Sequence, residues 1–165
     1  VLPSNSVRAF LKKHLPAPEE LSDVSELNDE QARMATVHYT FMVQSYIWGE
    51  TSHTNVLPAA LAVPMVALAD RLDQQPLLTY SSYVLDNWSL IDPDRPLALD
   101  NIQMLQNFLG GQDEAWFVLI HVAIEAAAGA VFARFADIDE AVKAKDAHTA
   151  QAHLEETSQT WFLAQ

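Results

Sequence analysis

The 165-residue chain contains no cysteine, so neither a disulfide framework nor a thiolate metal site can be built from it. That absence fits a reducing compartment, and a cytoplasmic location is the expectation. Glycine is scarce, at four residues, which argues against turn-rich β architecture. Basic residues are also few: nine Lys and Arg face 22 Asp and Glu, giving a formal charge of −13. Such a charge repels phosphate backbones and anionic lipid headgroups, so neither nucleic acid nor a membrane is expected as a partner. The sequence has no Gly-rich phosphate loop, no Gly-x-Ser-x-Gly elbow and no His-Glu-x-x-His zinc helix. No charged segment followed by an apolar one opens the chain, which starts at Val1 rather than a methionine. Internal repeats, low-complexity tracts and linkers are absent too, so residues 1–165 read as a single helical domain.

Half of the residues are hydrophobic, and the longest apolar run is QDEAWFVLIHVAIEAAAGAVFARF, residues 112–135. As a helix it spans roughly 36 Å. A helix that is apolar all round is expected in a core, with other elements packed on every side. His121 and Glu125 lie four apart in its middle, and burying such groups unpaired costs about several kcal/mol. The run is therefore a core helix with two satisfied polar residues or one wall of a buried site. Residues 115–132 also reach membrane-spanning length, but a bilayer penalises His121 and Glu125, so a soluble core helix is expected.

The remaining spacing predicts further helices and no strand. One covers 4–14, capped by Ser4 or Ser6 and ending in Lys12, Lys13 and His14. Residues 18–27 form at most a helical turn. A second helix covers 29–48, with Asn28 as N-cap, Gly49 as stop, and Met34, Val37, Phe41, Met42, Tyr46 and Trp48 as its stripe. Others are expected at 66–73, with Pro64 at the first helical position, at 77–88, at 97–109 and at 137–165. Asp92-Pro93-Asp94 supplies turn chemistry.

Among the histidines, His38 reads as an ordinary packed or surface residue, and His148 and His153, five apart, face different sides of a polar helix. Glu50-Thr-Ser-His53 is half of what a di-iron helical bundle uses. It follows the helix stop at Gly49 and has no second copy, so it reads as a surface loop. His121 and Glu125 can chelate at i and i+4, but zinc sites want three or four ligands, so no metal ligand is assigned and Glu125 is read as structural.

Four blocks carry a resemblance that periodicity does not supply. They are Leu57-Pro-Ala-Ala-Leu-Ala-Val-Pro-Met65, Tyr80-Ser-Ser-Tyr-Val-Leu-Asp-Asn-Trp88, Asp92-Pro-Asp-Arg-Pro-Leu97, and Phe117-Val-Leu-Ile-His-Val-Ala-Ile-Glu-Ala-Ala-Ala128. With the earlier Tyr46-Ile-Trp-Gly49, they resemble, in order and spacing, successive blocks of the indoleamine 2,3-dioxygenase family across residues 28–135. The resemblance implies an all-α helical bundle forming the distal half of a haem-dioxygenase-like fold. It implies haem b as cofactor, O2 and tryptophan or another indole as substrates, and insertion of both oxygen atoms across the indole 2,3 bond.

Carried over by position, Tyr80, Tyr83 and Val84 line the indole pocket, and Phe117 packs on substrate and porphyrin. Ile124 touches the haem face, and Tyr83, Val84 and His121 are also implied to bind the cofactor. His121 is the distal polar residue nearest the substrate N–H. Many family members carry serine there, whereas the related tryptophan 2,3-dioxygenases use histidine. A neutral imidazole accepts a hydrogen bond from an indole N–H and orients the ring.

The family's haem-ligating histidine and carboxylate-gripping arginine belong to a C-terminal region that no block here resembles. The chain is thus expected to be the N-terminal part of a longer protein, with that C-terminal haem-ligating segment as its partner. Alone, it is expected to expose an apolar face where those helices and the haem belong. Two alternatives are a related haem enzyme of indole-derived natural-product synthesis and a helical interaction module without iron.

Overall fold

The computed structural model describes residues 6–17 and 23–163. Five helices, α1 (Val7–His14), α2 (Asp29–Trp48), α3 (Ala59–Arg71), α4 (Gln112–Lys143) and α5 (Ala147–Leu163), dominate these residues. Two three-residue strands, β1 (Trp88–Leu90) and β2 (Ile102–Met104), pair in a small sheet. The fold is all-α. Packing divides it into two compact units. The first comprises Val1–Ser89 with Gln103–Val118, the second Leu90–Ile102 with Leu119–Gln165.

The first unit is built on α2 and α3. Asn28 caps α2 reciprocally: its side chain accepts from Gln31 N at 2.9 Å, and the Gln31 side chain accepts from Asn28 N at 3.0 Å. Val43 and Tyr46 of α2 pack with Leu61 and Met65 of α3, flanked by Leu11 and Leu15 at the end of α1. Met34 and Trp48, expected on the buried stripe of α2, are instead exposed.

Arg8 fastens α1 to the C-terminal end of α2. Its Nε donates to Tyr46 O at 2.7 Å and its Nη2 to Ile47 O at 3.0 Å, groups that lack partners within the helix. Glu50 completes the joint by accepting from the Ser6 hydroxyl at 2.7 Å and from Arg8 N at 3.0 Å. The Glu50-x-x-His53 step is therefore a structural joint. His53 is exposed against the Trp48 ring.

Several expected helices are redrawn. Helix α3 starts at Ala59 behind Pro58, and Pro64 lies inside it rather than at its first position. The alanine-rich start and the burial of Leu61, Met65 and Leu68 outweigh an interior proline, which costs about 3 kcal/mol. The helix expected at 77–88 shrinks to a π-turn, Ser81–Leu85. Thr79 and Ser82 trade hydroxyl-to-backbone bonds there, and Ser81 Oγ donates to Asp86 at 3.0 Å. Such local bonds compete with the helical ladder. The region expected to be helical at 97–109 holds only a 3-10 turn, Leu99–Asn101, followed by β2.

The polar segment to Leu27 shows a 3-10 turn at Val24–Glu26, and residues 18–22 lie outside the described part. Residues 137–165 are not one helix, because α4 runs on to Lys143 and Lys145 adopts φ 57°. Asp146 then caps α5, accepting from Thr149 N at 3.0 Å and from the Thr149 hydroxyl at 2.7 Å.

In the second unit the loop before β2 is folded around one side chain. Asn101 is fully buried. Its Nδ2 donates to the carbonyls of Asp92 (3.0 Å), Arg95 (3.2 Å) and Pro96 (3.0 Å), and its Oδ1 accepts from Asp92 N at 3.0 Å. Asp92 also accepts from Asp94 N at 3.0 Å, the turn expected at this place. In the same unit Arg134 of α4 pairs with Glu156 of α5.

The expectation that α4 is covered on all sides fails. Val118, Val122, Ala128, Val131 and Ala141 are buried, but Trp116, Phe117, Ile120, Ile124, Phe132, Phe135 and Val142 are exposed. By length and composition α4 could also cross a membrane, and only 24% of its apolar window is buried. Among the described residues, buried and exposed apolar side chains are thus interspersed along α4.

Two consequences can be measured. The hydrogen bond from Ser6, then that from Arg8 N and the Arg8 charge, hold the Glu50 carboxyl below the ordinary carboxylate value. A lowered folded value stabilises the protein above the ordinary glutamate pKa of about 4.3 and is lost as pH falls through the lowered one. Thermal melts of Glu50→Gln are therefore expected to lose part of the wild-type acid-side decline below about pH 4.3; parallel declines would contradict the joint. Asn101→Ala removes the donor to three loop carbonyls and is expected to cost about 3 kcal/mol in denaturant unfolding, whereas a change below about 0.5 kcal/mol would contradict its role.

Candidate functional site

The first unit brings together four aromatic rings from four stretches of chain. Phe41 of α2 stacks on Phe108 with centroids 4.4 Å apart, and Tyr83 of the π-turn lies 5.7 Å from Phe41 and 6.0 Å from Phe108. Phe117 of α4 approaches Tyr83 at 6.1 Å. These separations suit offset or tilted aromatic packing. Phe41 is buried, whereas Phe117 is 49% exposed, so the cluster runs from the core to the surface.

Of the residues singled out in the sequence, Tyr80, Tyr83, Val84 and Phe117 lie in this unit. Tyr80 is 45% exposed, Tyr83 is half-buried and Val84 is fully buried. His121 and Ile124 follow Phe117 along α4 by four and seven residues, on the same side of the helix, and belong to the second unit. His121 is half-buried and Ile124 is 54% exposed.

Backbone polar groups beneath the rings are held by Asn87, which is fully buried. Its Nδ2 donates to Tyr83 O at 3.1 Å and to Gln106 O at 2.9 Å, and its Oδ1 accepts from Gln106 N at 2.8 Å. One side chain thereby ties the π-turn that carries Tyr83 to the segment that leads to Phe108.

A second tie comes from the first turn of α4. Glu114 accepts from Phe108 N at 2.7 Å and from the Tyr83 hydroxyl at 3.5 Å through Oε1. Through Oε2 it accepts from Leu109 N at 2.8 Å and Gly110 N at 3.2 Å. Gly110 has φ +71°, a backbone that side chains rarely adopt, and it lets the three amides converge on one carboxylate. Burial raises the Tyr83 phenol above its ordinary pKa, and the Glu114 charge and hydrogen bond act in the same direction.

Sequence reasoning named Tyr83 and Phe117 but missed the site's supports. Phe41 and Phe108 were visible only as members of apolar stripes. Glu114 had a signal, being the third residue of a helix that follows Gly110-Gly111, where an acidic side chain reaches back to preceding amides. Its several partners depend on a left-handed glycine that spacing does not reveal.

A porphyrin needs flat apolar contacts, and the exposed side chains of Phe117 and Ile124 on one side of α4 are of that kind. The stripe offers His121 as its polar group. Among the described residues no three His, Asp or Glu side chains are grouped to hold a metal ion. These residues therefore fit a ring cofactor by its face. Iron ligation is not something the stripe supplies.

Residues 4–161 match the family model described as indoleamine 2,3-dioxygenase. Among curated relatives, indoleamine 2,3-dioxygenase 1 of Rattus norvegicus is 30% identical over 136 residues, covering 78% of this chain and 33% of its own length. Indoleamine 2,3-dioxygenase of Saccharomyces cerevisiae is 35% identical over 131 residues, 76% of this chain and 28% of its own length. Indoleamine 2,3-dioxygenase qulI of Penicillium citrinum is 30% identical over 158 residues, 93% of this chain and 36% of its own length. The chain thus spans about a third of the length of the curated relatives it matches. It belongs to the indoleamine 2,3-dioxygenase family.

Proposed function

We propose that this chain supplies the substrate side of a haem-dependent dioxygenase that opens the indole 2,3 bond of tryptophan or a related indole with O2. The observation that carries the reading is the aromatic cluster that ends at the half-exposed Phe117, found in a chain of this family. Bound haem b supplies the iron that takes O2, and its ligand belongs to a C-terminal segment beyond this stretch.

In this reading the chain's residues do three things. Tyr80, Tyr83 and Phe117 offer ring faces and edges for a flat indole, and Val84 shapes the pocket from within the core. Phe117 and Ile124, with His121 between them on α4, present the apolar side of the helix to the porphyrin, which excludes water from it. The His121 imidazole accepts the indole N–H, orienting the ring and offering a place for that proton. The cysteine-free composition supports a cytoplasmic setting.

The test uses the haem-loaded protein supplied with tryptophan and O2. A ring-opened, kynurenine-type product is expected. His121→Ala is expected to lower affinity for indole or turnover about tenfold, the worth of one hydrogen bond to a buried ring. An indole product that keeps its 2,3 bond would redirect the chemistry to another reaction of the same pocket. Unchanged kinetics in His121→Ala would remove the imidazole from the mechanism.

A further inference from the structure

Glu114 is worth following because the reaction itself has no use for it. A carboxylate in the first turn of a helix ordinarily accepts from one amide at that helix's own N-terminus. Here it reaches past the helix to the amides of Phe108, Leu109 and Gly110, while the Tyr83 hydroxyl donates to the same group. The carboxylate thus joins both ends of an aromatic wall whose members Tyr83 and Phe108 are 25 residues apart in the chain. It also sits three residues before Phe117, on the same helix. Any change in the position of Glu114 is transmitted to Tyr83 and Phe108, whose rings lie 6.0 Å apart.

We propose that Glu114 is the positioning residue of the indole pocket: by holding the 108–110 amides and the Tyr83 hydroxyl together, it sets the ring spacing that selects a flat bicyclic substrate. This rests on the indole-binding reading above. Glu114 touches neither substrate nor cofactor in this scheme; it acts through Tyr83 and Phe108. The convergence of three successive amides on one carboxylate makes a preformed wall, so binding need not bear the cost of ordering the loop.

A helix cap and a positioning clamp make different demands on the side chain. Capping and the helix dipole require a negative charge in the first turn. The clamp requires reach as well. Glu114→Asp keeps the charge and withdraws the carboxylate by one methylene, and Glu114→Gln keeps the reach but turns an NH2 toward amide donors.

The experiment compares these variants in the haem-loaded protein by amide hydrogen exchange and by indole titration followed optically. In both variants the amides of 108–110 are expected to exchange about tenfold faster or more, and indole affinity is expected to fall about tenfold, with haem content unchanged. Affinity for imidazole, too small to span the wall, is expected to change less than threefold. Faster exchange with unchanged indole affinity in Glu114→Asp would reduce Glu114 to a helix cap and overturn the proposal, as would unchanged exchange in both variants. Should Glu114→Gln fail to fold, Glu114→Asp alone decides. If the wild-type protein takes up haem yet binds no indole, the indole-pocket reading itself fails and this proposal falls with it; wild-type binding matched by both variants sinks the proposal alone.

Discussion

The apolar surface of α4 sets the terms for everything else in this chain. A helix with valine, isoleucine and phenylalanine around its full circumference gains by burying them, yet among the described residues Val118, Val122, Ala128, Val131 and Ala141 are buried while other apolar side chains are exposed. Phe117, Ile120 and Ile124 remain open. Each such side chain forgoes about 1.5–3 kcal/mol of burial when left in water. His121 lies on the same side of the helix as Phe117 and Ile124.

In the first unit, polar side chains rather than α-helices hold the stretches that carry Tyr83 and Phe108. Asn87 satisfies both partners of Gln106 and the carbonyl of Tyr83, and Glu114 gathers the amides of 108–110. Irregular backbone of this kind is expensive to bury unless its groups are paired. The pairing falls on two side chains, which concentrates the support of the aromatic cluster in few residues. The second unit uses the same device at Asn101, so buried asparagines, not helices, fix the irregular stretches in both.

Much of this was legible from residues alone. The Asn28 cap and Gly49 stop marked α2 to the residue, and Ser6 and the lysines marked α1. The family blocks picked out the stretch that carries Tyr80, Tyr83 and Val84, although the helix expected there is a π-turn. The misses share one cause. Between residues 77 and 109 the three-four spacing of Tyr80, Tyr83, Leu99 and Leu105 imitates a helix, while serine, threonine and asparagine side chains capture the backbone groups that a helix would use. Periodicity reports which residues are apolar, not which side chains compete for amides. The break at Lys145 was hidden for a related reason, since a left-handed lysine carries no compositional mark and only the Asp146–Thr149 cap betrays it. Exposure of α4 was equally unreadable from pattern, because an all-round apolar helix looks the same whether its neighbours lie in this chain or elsewhere.

The most direct measurement of the account is haem retention in Ile124→Glu, which puts a charge on the open stripe of α4 at a position that is 54% exposed and so tolerable to the fold. If a porphyrin lies on that stripe, the Soret absorbance of the variant should titrate with at least about tenfold weaker haem affinity than wild type, since an unpaired carboxylate must be desolvated against the ring. Equal haem affinity in the two proteins, with helical content intact in both, would contradict the placement of the cofactor on α4.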